Sequence, residues 1–152
     1  MDDPITRRLA DESEIRNLVA RLAHLADFAP VLDEYLGYFT EDAVWEYSEA
    51  SRAMVTDGRP GLRVEGRAAI AADRQRLRGV GFQGPGTNTF HVNTTLAVRV
   101  VGEDEAEAES YWLFVSGQDP PQVQKIGRYR DRFRRTAGGW KLAHREVTPN
   151  AM

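Results

Sequence analysis

Apolar positions change their period along this chain. Ile15, Leu18, Val19, Leu22, Leu25 and Ala26 recur three and four residues apart, the stripe of a helix. Asp11-Glu12-Ser13-Glu14 just before it predicts the helix start, with Asp11 as cap and Glu14 reaching back from the third helical position. Pro30 disfavours helical backbone at Ala29, so the helix ends near Asp27-Phe28-Ala29. His24 falls opposite the stripe, on the solvated side. Pro30 suits the first turn of a second helix, with Val31, Leu32, Tyr35, Leu36 and Phe39 inward. Residues 42–47, DAVWEY, alternate instead and read as a strand with Ala43, Trp45 and Tyr47 on one face. A polar loop over 48–65 follows, with turn signals at Asp57-Gly58 and Pro60-Gly61. A third helix is predicted over 67–78, with Ala68, Ile70, Ala71 and Leu77 inward, and GVGFQGPG (79–86) reads as a loop.

Beyond residue 87 the period is two throughout. Four strands are predicted, about 88–101, 105–116, 123–135 and 140–147, joined by links short enough for hairpins. Helices first and an antiparallel meander after them is an α+β pattern.

Charges fix the register of the second hairpin. Glu105, Glu107 and Glu109 share one face of their strand, and Arg128, Arg130, Arg132 and Arg134 share one face of the next. Setting Glu109 opposite Arg130, Glu107 opposite Arg132 and Glu105 opposite Arg134 pairs unlike charges, each pair contributing ~0.2–1 kcal/mol. This ladder face is then the outer one. The inner face carries Trp112, Phe114, Tyr129, Asp131 and Phe133. Tight flanking turns add His91, Asn93 and Thr95 on one side and Trp140, Leu142 and His144 on the other. An aromatic face with a few polar groups is how small-molecule pockets are lined. Phe90, Val92, Leu96, Val98, Tyr111, Leu113 and Val115 fall on the ladder face. A sheet apolar on both faces needs a second cover, so the outer face is expected to meet another subunit of a homo-oligomer, dimer or trimer.

Composition narrows the function classes. At 152 residues the chain reads as one domain, 1–152. A formal charge of −3, with glutamates cancelling the arginine stripe, gives no general attraction to nucleic acid or membrane. The acidic start lacks the apolar segment of a secretory signal, and no apolar run approaches the ~20 residues of a membrane span. There is no cysteine, which excludes thiolate chemistry and fits a reducing, cytoplasmic setting. No phosphate-binding loop, G-x-S-x-G or metal-spaced His/carboxylate motif appears, so neither metal nor cofactor is expected.

Acid–base chemistry remains. His91, in NTFHVNTT, titrates near neutral pH and is the candidate base, although a strand histidine is by type more often a solvated or hydrogen-bonded residue. Two carboxylates offer themselves to a histidine. Asp27 can orient His91, yet by position it also suits a turn before Pro30. Asp131 with His144 is the competing pair.

Several segments together resemble a known family: DESEIRNLVARLAHLADF, FTEDAVWEY, GRAAI, TFHVNTTLAV and GRYRDRFRRTAGGWKLAHREV. From about residue 10 to 148 the chain is similar to the SnoaL-like group of the nuclear transport factor 2-like superfamily. That group is similar to scytalone dehydratase, polyketide cyclases and hexachlorocyclohexane dehydrochlorinase. The resemblance implies a cone-shaped, curved, antiparallel or mixed sheet wrapped around three N-terminal helices and enclosing a pocket. It implies a catalytic dyad of Asp27 and His91, with the histidine as base. It places Trp45, Thr89, Trp112, Phe114 and Tyr129 in the pocket lining. Tyr47 matches a water-orienting tyrosine, with Tyr47 or Asn93 steadying oxyanion charge. Arg145 matches an arginine that assists a leaving halide, but strict alternation turns it to the ladder face unless a bulge intervenes. Ala26 stands where the dehydratase has a second tyrosine.

The reading is a cofactor-independent lyase or isomerase acting on a small apolar cyclic molecule. Its rivals are a non-catalytic binding or assembly module of the same fold, and a protein like the small subunit of ring-hydroxylating dioxygenases.

Overall fold

A computed structural model of the chain describes residues 3–55 and 59–149. The Asp57-Gly58 turn signal therefore lies outside the described residues. Among those described there are four helices and six strands: α1 (Pro4–Phe28), α2 (Asp33–Gly37), β1 (Phe39–Tyr47), α3 (Glu49–Ala53), β2 (Arg63–Glu65), α4 (Arg67–Gly79), β3 (Thr89–Val100), β4 (Glu105–Ser116), β5 (Gln122–Thr136) and β6 (Gly139–Pro149). The strands form one curved, unclosed mixed sheet in the order β2-β1-β6-β5-β4-β3. β1 runs parallel to β6, and the other pairings are antiparallel.

The long helix begins earlier than its apolar stripe suggests. Pro4 occupies its first turn and Asp3 caps it, its carboxylate accepting the Thr6 N–H at 3.1 Å. Asp11 and Glu14 are not caps. Asp11 is buried and accepts from the Arg135 guanidinium at 2.7 Å and the Trp140 indole N–H at 3.0 Å, while Glu14 accepts the Trp140 backbone N–H at 2.9 Å. Both acids tie α1 to the β5–β6 hairpin, a long-range partnership that local spacing does not show. The bond from Arg135 is the strongest influence and, against the cost of burial, holds the Asp11 carboxyl below its usual range.

Other boundaries also move. The second helix shrinks to five residues, leaving Val31 exposed and placing buried Phe39 in β1. The 48–65 segment holds α3, capped by Ser48, and the short edge strand β2, so four helices replace the expected three. α4 exposes Ala68 and buries Asp73 and Arg74.

The charge-derived register of β4 and β5 holds: Glu105 faces Arg134, Glu107 faces Arg132 and Glu109 faces Arg130. Of these, Glu109 and Arg130 form an ion pair, at 3.3 Å. Arg134 turns to Asp42 and Glu107 to Arg99, so the ladder is a wider mesh of surface pairs.

Register shifts interrupt the pairings β1–β6, β3–β4, β4–β5 and β5–β6, and those in β3 and β6 move residues of the core and the site. In β3, Thr94 faces Tyr111 but Ala97 faces Glu109, so one extra residue sits at Thr95-Leu96. Thr95 has φ +53°, and Arg16 donates to the Leu96 carbonyl at 3.0 Å. Thr95 is exposed, and Leu96, Val98 and Val100 turn inward onto the core, the reverse of strict alternation. In β6 the shift at Ala143 turns His144 to the outer face and Arg145 inward.

The interior divides in two. α1 seats Ile15, Leu18, Val19 and Leu22 over Ala106, Ala108, Phe133, Trp140 and Leu142. Beyond its end, Trp112, Phe114, Tyr129 and Val147 form a second cluster with Trp45 and Tyr47. Ala106 and Ala108 of β4 belong to the first cluster, and the large aromatics of the second stand beyond α1, where Arg74 of α4 lies over Trp45.

Candidate active site

The α1 stripe ends with buried Leu25, Ala26 and Asp27. Arg78 of α4 donates to the Leu25 and Ala26 carbonyls at 3.1 and 3.2 Å, satisfying the helix end and complementing its dipole. Asp27 is thereby fixed on the inner side, where it meets the start of β3. Its Oδ2 accepts the His91 backbone N–H at 2.8 Å, and its Oδ1 lies 2.6 Å from His91 Nδ1. A carboxylate at Nδ1 selects the tautomer that carries its proton there, so Nε2 keeps its lone pair. The ring is held against Phe114, with centroids 4.9 Å apart.

His91 lines a cavity of about 230 Å³ together with Trp45, Tyr47, Trp112, Phe114 and Tyr129. A deeper recess of about 20 Å³, room for one water molecule, is lined by His91, Asn93, Tyr129 and Arg145 among others. Asn93 Oδ1 and the Trp112 indole N–H are buried without hydrogen-bond partners. Burial pushes the Tyr47 hydroxyl up and that of Tyr129 to about 12, so both stay protonated donors at neutral pH. Trp112 and Tyr129 stack at 5.6 Å.

Most of the residues singled out from sequence therefore converge. Thr89 does not line the cavity; its hydroxyl bonds Thr87 at 2.6 Å. Arg145 reaches the recess because of the β6 bulge. It is locked by two bonds to buried Asp131, at 2.8 and 2.7 Å, with its guanidinium 4.0 Å from the Tyr129 ring centroid. Burial opposes the Arg145 charge, but Asp131 outweighs it and holds its pKa above the arginine range. The alternative pair of Asp131 with His144 is excluded by the same shift. His144 bonds Glu46 on the outer side at 2.8 Å. Burial works against the Glu46 carboxylate, but bonds from His144, Arg63 and Arg52 bring its pKa down to about 2.

Among the lining residues not foreseen as part of a site are Arg74, Phe82, Gln83 and Lys125. Phe82 stacks on Phe114 at 4.9 Å and, with buried Gln83, comes from the glycine-rich 79–86 loop. Arg74 follows Ile70 by four residues on the inward stripe of α4, and a charge on an apolar stripe was the available signal. Among the described residues no three His, Asp or Glu side chains gather as metal ligands, and no helix is long and apolar enough to cross a membrane.

Comparison with known proteins agrees with this fold. The model of the family described as the SnoaL-like domain matches residues 7–146. No curated protein matches the chain in sequence. Among solved structures, an NTF2-like protein with a cystatin-like fold from Novosphingobium aromaticivorans is 26% identical, with TM-score 0.72, over 99% of this chain and 92% of that one. A protein from the same organism, provisionally described as a scytalone dehydratase, is 23% identical with TM-score 0.67, over 93% and 85%. A protein from Catenulispora acidiphila, solved in complex with S-DNPA, is 24% identical with TM-score 0.70, over 93% and 95%.

Proposed function

The chain belongs to the SnoaL-like domain family, which includes dehydratases and cyclases, and from that premise we propose that it is a cofactor-independent lyase or isomerase built on the Asp27–His91 dyad. The observation that carries this reading is the double grip of one buried carboxylate on the ring and the backbone of His91. In the proposed step His91 Nε2 takes a proton from a carbon next to an electron-withdrawing group. The released electron pair forms the new double bond as a leaving group departs, or an enolate if none does. Asp27 stays ionised and balances the imidazolium, a role that does not require it to take the proton. Tyr47 and Tyr129, as protonated donors, face charge developing on substrate oxygen. The aromatic walls suit a small cyclic molecule, and a likeness in fold to a protein solved with a small ligand is consistent with small-molecule binding. We place the protein in the cytoplasm, acting as one domain within a homo-oligomer.

The test is elimination from a panel of cyclic β-hydroxy and β-halo ketones, followed by absorbance of the conjugated product. Asp27→Asn and His91→Ala are expected to lower turnover by ~10²–10⁴-fold with an unchanged circular dichroism spectrum. A substrate turned over equally well by either variant would sink the dyad. Ligand binding without turnover, indifferent to His91→Ala, would assign a non-catalytic module.

A further inference from the structure

We infer that this cavity takes its ligand as an organic oxyanion, a carboxylate or acidic phenol or enol, with the charged end on Arg74 and the apolar ring toward His91. The inference rests on reading the cavity as the ligand site and adds the charge of what enters it. Arg74 is 6% exposed and lines both the cavity and its recess. Its terminal nitrogen donates to Asp73 at 2.8 Å, its guanidinium lies 4.7 Å from the Trp45 ring centroid, and its Nε is buried with no partner.

Asp73 does not neutralise it alone, because the same carboxylate accepts from Arg76 at 2.7 Å. Two guanidiniums thus share one buried carboxylate. Lys125 adds an exposed cation to the lining, while the whole chain carries −3. Cations concentrated in a cleft with apolar walls, on a protein of opposite net sign, focus a positive potential into that cleft. A guanidinium held in such a place with a donor to spare matches a planar oxyanion, which it binds by charge-assisted hydrogen bonds.

The experiment compares 1-naphthoate with 1-naphthamide, equal in shape and unequal in charge, by quenching of the fluorescence of Trp45 and Trp112. The wild-type protein is expected to bind the carboxylate at least about tenfold more tightly, with the advantage shrinking as salt is raised. Arg74→Gln is expected to remove the preference by weakening naphthoate alone, and Arg74→Lys to keep part of it. Equal affinities in the wild type, binding of neither compound, or a preference that survives Arg74→Gln would each overturn the inference. The wild-type comparison and its salt dependence stand without any variant, should Arg74→Gln fail to fold. Asp27→Asn separates the two readings, since it removes the proposed turnover and keeps the preference for the anion.

Discussion

His91 owes its orientation to a residue 64 positions away, and both atoms of the Asp27 carboxylate are used up in holding it. Arg145 shows the opposite economy. Its charge is consumed by Asp131, side by side with it in the interior, where each is more than nine-tenths buried. Removing one partner strands the other. Asp131→Ala is expected to cost about 3–5 kcal/mol in urea unfolding, and the double change Asp131→Leu with Arg145→Met to recover most of it. A small loss in the single variant would show that water reaches Arg145 and that the pair is not a buried one. At this scale the sequence identified residue types well and their partners unevenly. Asp27 and His91 were brought together through family likeness, because the helix wheel alone does not turn Asp27 inward. Arg74 went unnoticed because it reads as one of several arginines on a polar helix, and only its spacing from Ile70 marks it as buried.

Strand pairing was readable wherever charges faced each other. Three Glu against four Arg admit two favourable alignments, both of which place Trp112, Phe114 and Tyr129 on the inner face, and the structure adopts the one that sets Glu109 opposite Arg130. The bulges in β3 and β6 left no such trace in the pattern itself. Leu142-Ala143-His144 contains neither glycine nor proline, so alternation runs through it unbroken on paper, and only the family likeness of Arg145 hinted at a bulge there. Gly127 is the clearest demand that an element makes on a single position. It faces Trp112 across the β4–β5 pair, and a Cβ there would stand 2.5 Å from the Thr148 carbonyl oxygen and 2.8 Å from the indole. Gly127→Ala is therefore expected to destabilise by about 1–3 kcal/mol and to shift the tryptophan emission, read by thermal melting and fluorescence. An unchanged melt would mean that Trp112 rotates away without cost.

The whole molecule leaves one face of its sheet bare. Val92, Tyr111, Val123 and Ile126 are 43, 52, 57 and 43% exposed on the side away from the cavity. Our proposal that copies of the chain meet there predicts a dimer or trimer by light scattering at micromolar concentration. Ile126→Glu should yield single chains with the same circular dichroism. A wild-type protein of single-chain mass would remove the proposal. The fold class, the α+β order and the aromatic part of the inner lining were readable in advance. The partners of Asp11 and Glu14 were not, because they lie on a hairpin more than a hundred residues downstream, and α1 starts earlier than its apolar stripe because Asp3 and Pro4 begin it.

The bulge at Thr95 gives β3 two phases. Before it, His91 and Asn93 face the cavity and its recess; after it, Leu96, Val98 and Val100 face the core under α1. One strand thus serves two tenants under separate leases. Asn93 can change with the ligand while 96–100 go on packing the helix unaltered. Such a partition lets ligand preference diverge within one scaffold at little risk to its folding.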